Sequence, residues 1–189
     1  MRWLRKRLQP RLLVVYALAL GVIWMAEPTA RSLLLGGIPI ALGEGLRLWA
    51  TGHLLKNDAL TVTGPYAYLR HPLYLGTLMI AAGFAAMATS AGALWLFAAS
   101  LVGYFGYYMP YKDRIEGARL ESLYGDAFRR YAVAVPGLIP RLHAYVPLAA
   151  DRSPQTTWST VRFSDNHEVG IAFAVGLGVI ALFVRWAVS

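Results

Sequence analysis

Residues 72–111 read PLYLGTLMIAAGFAAMATSAGALWLFAASLVGYFGYYMPY and contain no Asp, Glu, Lys or Arg. A soluble core of that length would be broken by solvated positions, whereas two helices of about 20 residues each can cross a bilayer without interruption. The whole chain agrees with this reading, with 57% hydrophobic residues, 15% charged residues and a mean hydropathy of +0.47. The expected fold is therefore all-α and polytopic in the membrane, with five apolar segments: Leu12 to Ala26, Leu33 into the region of Leu46 to Leu55, Leu73 to Ala88, Ala91 to Pro110 and Val169 to Val184. Several are shorter than an upright span, so tryptophans, tyrosines and snorkelling arginines at their ends must help. Between the third and fourth segments only residues 88–92 are available as a turn, which predicts an antiparallel helical hairpin.

Outside this run the charges have a side. The basic start MRWLRKRLQPR precedes an apolar stretch that lacks a small-residue cleavage site and ends in Glu27-Pro28, so an uncleaved first membrane helix is expected. With the N-terminus cytoplasmic, only Arg31 and Arg185 of the 18 Lys and Arg residues fall on the far side. The positive-inside rule then predicts N-terminus in and C-terminus out, and the net charge of +8 is read as orientation and not as nucleic-acid binding. What remains in the cytoplasm is a connector of about residues 56–71 and a block of residues 112–168, the last membrane helix following at about 169–184, all within a single domain. The block opens with a helical stretch that sets Ile115, Leu120, Leu123, Phe128 and Tyr131 roughly on one face, and Pro136 and Pro140 end it. Residues 151–168 read as loop with an interfacial turn.

Several chemistries drop out. Cysteine is absent, which removes disulfides, thiolate metal sites and cysteine nucleophiles. No HxxxH or HExxH occurs, and neither His71 with Glu116 nor His167 with Glu168 has a third ligand at a credible spacing, so no metal is expected. Serine-nucleophile motifs and phosphate-cradling glycine loops are missing too. Glu44 and Arg47, three residues apart in the second segment, either pair on one helical face or lie at the interface beyond a segment that ends near Gly43. Gly103 and Gly106 offer positions for close helix packing, within the monomer or between copies.

The uncharged run is entered through GPYAYLRHPLYLG, residues 64–76. Here Arg70 and His71 stand directly before Pro72, which starts a helix. Free N–H groups and the helix dipole at such a start favour an anionic group. With His53, Lys56, Asp58, Tyr66, Tyr68 and Tyr74 nearby, the residues describe a polar, anion-tolerant pocket at the membrane surface, without naming its ligand.

That stretch resembles the R-H-P-x-Y-x-G signature of the isoprenylcysteine carboxyl methyltransferase and phospholipid methyltransferase superfamily of membrane enzymes. A second signature follows in order: Glu116-Gly117-Ala118-Arg119-Leu120, then Tyr124-Gly125 and Tyr131, then Val135-Pro136-Gly137-Leu138-Ile139-Pro140. The likeness covers about residues 44–142. Gly117 departs from it, standing where the superfamily has a second glutamate. The resemblance implies methyl transfer from S-adenosylmethionine to a lipophilic acceptor at the bilayer surface. It places Asp58, Ala59, Leu60, Thr61 and Tyr66 on the adenosine side, Arg70, His71, Pro72, Leu73 and Tyr74 at the helix mouth, and Glu116 opposite. Lys112 and Arg114 would meet the substrate. With no dedicated base evident, a carboxylate or thiolate acceptor is favoured over a phospholipid amine. The alternatives are an NADPH-dependent sterol-type reductase, although Thr77 follows Gly76 where those enzymes carry an acidic residue, and a non-catalytic membrane protein of the same fold.

Overall fold

The computed structural model describes residues 20–55, 59–148, 151, 157–166 and 168–189. Among them every regular element is helical. Residues 20–25 end a helix; most of the first apolar segment, and Lys56, Asp58 and His167, lie outside the described residues. Helix α1 runs Ala30–His53, a 3-10 turn covers Gly64–Ala67, and α2 runs Pro72–Ala88. Helix α3, Ala91–Gly103, continues through a π turn at Tyr104–Tyr108 into α4, Met109–Ala134. A short α5, Thr160–Asp165, precedes α6, Glu168–Val188. Three runs are long and apolar enough to cross a membrane: Ala30–His53, Ala91–Ala134 and Glu168–Val188, with Pro72–Ala88 apolar but shorter. The protein is integral to the membrane.

The helix boundaries follow from the sequence. Thr29 and Ser32 cap α1 reciprocally: the Ser32 N–H donates to Thr29 Oγ1 at 3.1 Å and the Thr29 N–H to Ser32 Oγ at 2.9 Å. Pro72 occupies the first turn of α2, where its missing N–H costs nothing. Ser90 caps α3 by accepting from the Ala93 N–H at 3.2 Å.

Helices α1 and α2 run antiparallel in close contact, and glycine makes the approach possible. A Cβ on Gly36 would lie 2.5 Å from the Gly83 carbonyl oxygen, and one on Gly43 would lie 2.6 Å from that of Gly76. Both pairs are seven residues apart on their own helix, two turns, so the two backbones meet twice along one seam. The Ser32 hydroxyl fastens the far end by donating to the Met87 carbonyl at 3.0 Å. Gly103 and Gly106, the positions expected to permit close packing, face open space, with nothing within 4 Å of where a Cβ would stand at either.

The ionic arrangement in α1 corrects both sequence readings. Helix α1 does not end near Gly43, and Arg47 does not pair with Glu44. Arg47 Nε and Nη2 donate to the two oxygens of Glu168 at 2.6 and 2.9 Å, and Nη1 donates to the Leu73 carbonyl and to Thr77 Oγ1 at 3.1 and 2.7 Å. Both partners are buried, Glu168 to 1% exposure. The fork-to-fork geometry, with the remaining guanidinium nitrogen also satisfied, outcompetes a carboxylate on the same helix. Both Glu44 oxygens are buried without a hydrogen-bond partner.

Residues 157–166 return to the carboxyl end of α1 and cap it. Trp158 Nε1 donates to the Leu48 carbonyl, the Ser159 N–H and Arg162 Nε to that of Gly52, and Asn166 Nδ2 to that of Thr51, each at 3.0 Å. Thr51 and Gly52 are among the last four carbonyls of α1, which lack partners within the helix and need such donors, whereas Leu48 lies further in. Where a loop with an interfacial turn is expected, residues 157–166 carry the short helix α5 as a strap across the end of α1.

Two apolar clusters result. One gathers Ala26, Ile40, Met87, Ala88, Ala93 and Leu182 among the apolar helices. The other, Leu60, Val62, Phe128, Tyr131 and Val135, lies between the connector and α4. The expected apolar face of α4 is only half realised. Phe128 and Tyr131 are buried, but Ile115 and Leu123 are about half exposed, because Gly125, at φ 52° and ψ −127°, kinks the helix and breaks the phase between its two parts.

Candidate functional site

The connector is held in place from both sides. At Gly64 the backbone has φ +59°, and a Cβ would meet the His53 ring at 2.6 Å, so only glycine fits the turn that reverses the chain toward α2. Beyond it, residues 66–71 pair with the chain that follows α4. The Arg70 N–H donates to the Pro136 carbonyl at 2.8 Å and the His71 N–H to that of Gly137 at 2.9 Å, while Arg141 and Tyr145 donate back to Tyr68 and Ala67. Val135 to Pro140 therefore serves as the backbone partner of the Arg70-His71 stretch. The Tyr131 hydroxyl adds a bond of 2.8 Å to the Tyr66 carbonyl.

These constraints enclose a cavity of about 270 Å³ between the connector and α4. Its inner wall is apolar and aromatic, with Ala59, Leu60, Tyr66, Leu120, Phe128 and Tyr131. Burial pushes the Tyr66 phenol up from its ordinary pKa, so it remains a neutral hydroxyl. The other wall is charged and carries Arg70, His71, Asp113, Glu116 and Arg119. His71 Nε2 lies 2.9 Å from Asp113 Oδ1, and Arg70 Nη1 lies 3.7 Å from the same oxygen. The Tyr74 hydroxyl donates to Glu116 Oε2 at 3.3 Å. The Tyr74 ring stacks on His71 with centroids 5.1 Å apart and meets Tyr104 and Tyr108 of the π turn edge-on at 6.3 and 6.4 Å.

Of the residues singled out from the sequence, Ala59, Leu60, Thr61, Tyr66, Arg70, His71 and Glu116 line this one cavity, although they lie as far apart in the chain as residues 59 and 116. Thr61 has its hydroxyl oxygen engaged by the Leu55 N–H at 2.9 Å. Tyr74 joins from the side through Glu116. Pro72, Leu73, Lys112 and Arg114 are not part of the wall; Pro72 is buried in the first turn of α2, and the Leu73 carbonyl serves Arg47 and Thr77. Asp113 was not among the expected residues. It lies one helical turn before Glu116, so the same face of α4 delivers both carboxylates.

The model of the phospholipid methyltransferase family matches residues 32–127, half of the chain. The chain belongs to the phospholipid methyltransferase family. The match spans nearly all of α1, the connector, α2, α3, the π turn and the larger part of α4, and so includes both charged edges of the cavity. Over 115 residues the chain is 33% identical to the cobalt-zinc-cadmium resistance protein CzcN of Cupriavidus metallidurans, an alignment that covers 60% of this family member and 51% of that protein. The chain thus spans about half the length of the curated relative it matches. No solved structure matches it.

Proposed function

We propose that this phospholipid methyltransferase family member transfers a methyl group from S-adenosylmethionine to a lipophilic acceptor at the membrane surface, and that the cavity between the connector and α4 holds the donor. The observation that carries the reading is Arg70 Nε, a buried donor without a hydrogen-bond partner on the wall of a half-apolar cavity. The residues fit the donor's parts. Arg70 suits its carboxylate, the Leu60, Leu120 and Phe128 wall suits its base, and Glu116 suits its ammonium or ribose hydroxyls. The donor supplies an electrophilic methyl on a sulfonium; the protein has to align the two partners and exclude water. Such positioning is worth about 7–11 kcal/mol.

The cavity lies where α1 ends and α2 begins, with Tyr74, Tyr104 and Tyr108 on its far side, which supports a charged donor kept near water and an acceptor arriving from lipid. Five spans with the N-terminus in the cytoplasm, as the positive charges require, would put this edge on the cytoplasmic side. For the acceptor we favour a phospholipid amine over the carboxylate suggested by sequence. Asp113 and Glu116 at the rim repel an anion and attract an ammonium, and the family match points the same way. The relative's name concerns cobalt, zinc and cadmium resistance, but among the described residues no group of three or more His, Cys, Asp or Glu side chains could hold a metal ion.

The test is calorimetry on the detergent-solubilised protein, followed by transfer of labelled methyl into vesicles containing an aminophospholipid, a prenylated cysteine or a long-chain thiol. Binding of S-adenosylmethionine and not NADPH is expected, with label in the aminophospholipid. Affinity for neither cofactor overturns the enzymatic reading, and label in the cysteine ester or the thiol overturns the choice of acceptor. Replacing Glu116 with alanine is expected to weaken donor binding by about 10–100-fold, the range for loss of a charge-assisted hydrogen bond. Unchanged affinity in a correctly inserted Glu116→Ala protein would remove Glu116 from the site.

A further inference from the structure

A methyl acceptor that is an amine carries protons that methylation must release. The sequence offered no base for them, because a lone histidine beside a helix start has no defined protonation. The structure supplies what was missing. His71 is mostly buried, with 12% of its side chain exposed, and its Nε2 is 2.9 Å from the Asp113 carboxylate, which can only accept. That bond fixes the hydrogen on Nε2 and leaves Nδ1 as the nitrogen that takes up a proton. Stacking on Tyr74 holds the plane of the ring, and the His71 N–H bond to the Gly137 carbonyl holds its backbone.

From this geometry we propose that His71 is the proton acceptor of the methyl transfer and that Asp113 is its positioning residue. The proposal rests on the reading of the cavity as a methyl-transfer site with an amine acceptor. An ammonium acceptor gives one proton to His71 Nδ1 and becomes an amine. Its lone pair forms the new bond to the methyl carbon, and the pair of the breaking carbon–sulfur bond goes to sulfur. The methylated ammonium then leaves, and His71 returns its proton to water at the cavity mouth. Asp113 stabilises the imidazolium in between without taking the proton itself. The charged and titratable groups around the ring are Arg70 and Tyr74 from its own stretch, and Asp113 and, through Tyr74, Glu116 from α4; the segment after α4 presents Gly137.

The test combines kinetics with a measurement that needs no turnover. In protein labelled with nitrogen-15 histidine, the ring signals assigned by loss in His71→Gln are expected to report hydrogen on Nε2 and a bare Nδ1, and Asp113→Asn is expected to abolish that preference. The opposite tautomer in the parent overturns the proposal whether or not an acceptor has been found. In turnover, His71→Gln is expected to lower kcat by about 10²–10⁴-fold and Asp113→Asn by about 10–100-fold, with donor affinity within about threefold of the parent for Asp113→Asn. A fall in kcat for Asp113→Asn with the ring tautomer unchanged would make Asp113 merely structural. Should the parent methylate a carboxylate and no amine, both this inference and the choice of acceptor fail, while donor binding stands by its own calorimetric result.

Discussion

Replacing Arg47 with methionine is expected to cost about 3–5 kcal/mol, the range for removing one partner of a buried ion pair. The loss comes less from the bonds themselves than from Glu168, which stays at 1% exposure with no cation to balance it. The Leu73 carbonyl and Thr77 hydroxyl lose a donor at the same time. Thermal inactivation of the detergent-solubilised protein measures the effect. The double variant Arg47→Met with Glu168→Leu is expected to regain more than half of it, since two apolar side chains replace a pair whose desolvation was costly. Glu168→Gln alone is expected to be milder than Arg47→Met, because Glu44, one turn from Arg47 and with both oxygens unpartnered, can accept the guanidinium. Equal losses in the two single variants would refute that substitute role.

The second large effect is expected at the glycine seam. A Cβ on Gly83 would lie 2.5 Å from the Gly36 carbonyl oxygen and 2.5 Å from Ile40 Cγ1, and one on Gly76 would lie 2.7 Å from the Gly43 oxygen and 2.5 Å from Arg47 Cγ. Backbone cannot step aside as a flexible side chain can. Gly83→Val therefore has to part α1 from α2, and the expected cost is about 3 kcal/mol or more, at or above the top of the usual overpacking range. Gly103→Val is the matched control, with nothing within 4 Å of the new Cβ, and is expected to stay within about 0.5 kcal/mol of the parent. Similar inactivation temperatures for the two variants would contradict the close approach.

What could be seen in the sequence was what local pattern encodes. The uncharged run of residues 72–111 pointed to a membrane protein, and of the residues that the family resemblance singled out, Arg70, His71 and Glu116 line one cavity. What escaped was long-range choice among plausible partners. Glu44 is three residues from Arg47 and Glu168 is 121 residues away, so spacing favoured the wrong carboxylate; only the path of the strap brings the right one. Asp113 escaped because one more acidic residue on a polar helix has no local signature until a histidine 42 positions earlier faces it. The seven-residue spacing of Gly36 with Gly43 and of Gly76 with Gly83 was visible, but its meaning required knowing that α1 and α2 are antiparallel.

The π turn at Tyr104–Tyr108 has a consequence for how this site tolerates change. Such a turn holds one residue more than an α turn, and one residue is about 100° of rotation about the helix axis. Everything that follows is therefore set to a different azimuth from an unbroken helix, and Asp113 and Glu116 owe their bearing on His71 and Tyr74 to that single surplus residue. Loss of one residue between 104 and 108 would relax the turn to α and swing both carboxylates off the cavity while leaving every side chain in the site chemically intact. The vulnerable quantity here is chain length, so the site is exposed to one-residue deletions in a way that no scan of substitutions would reveal.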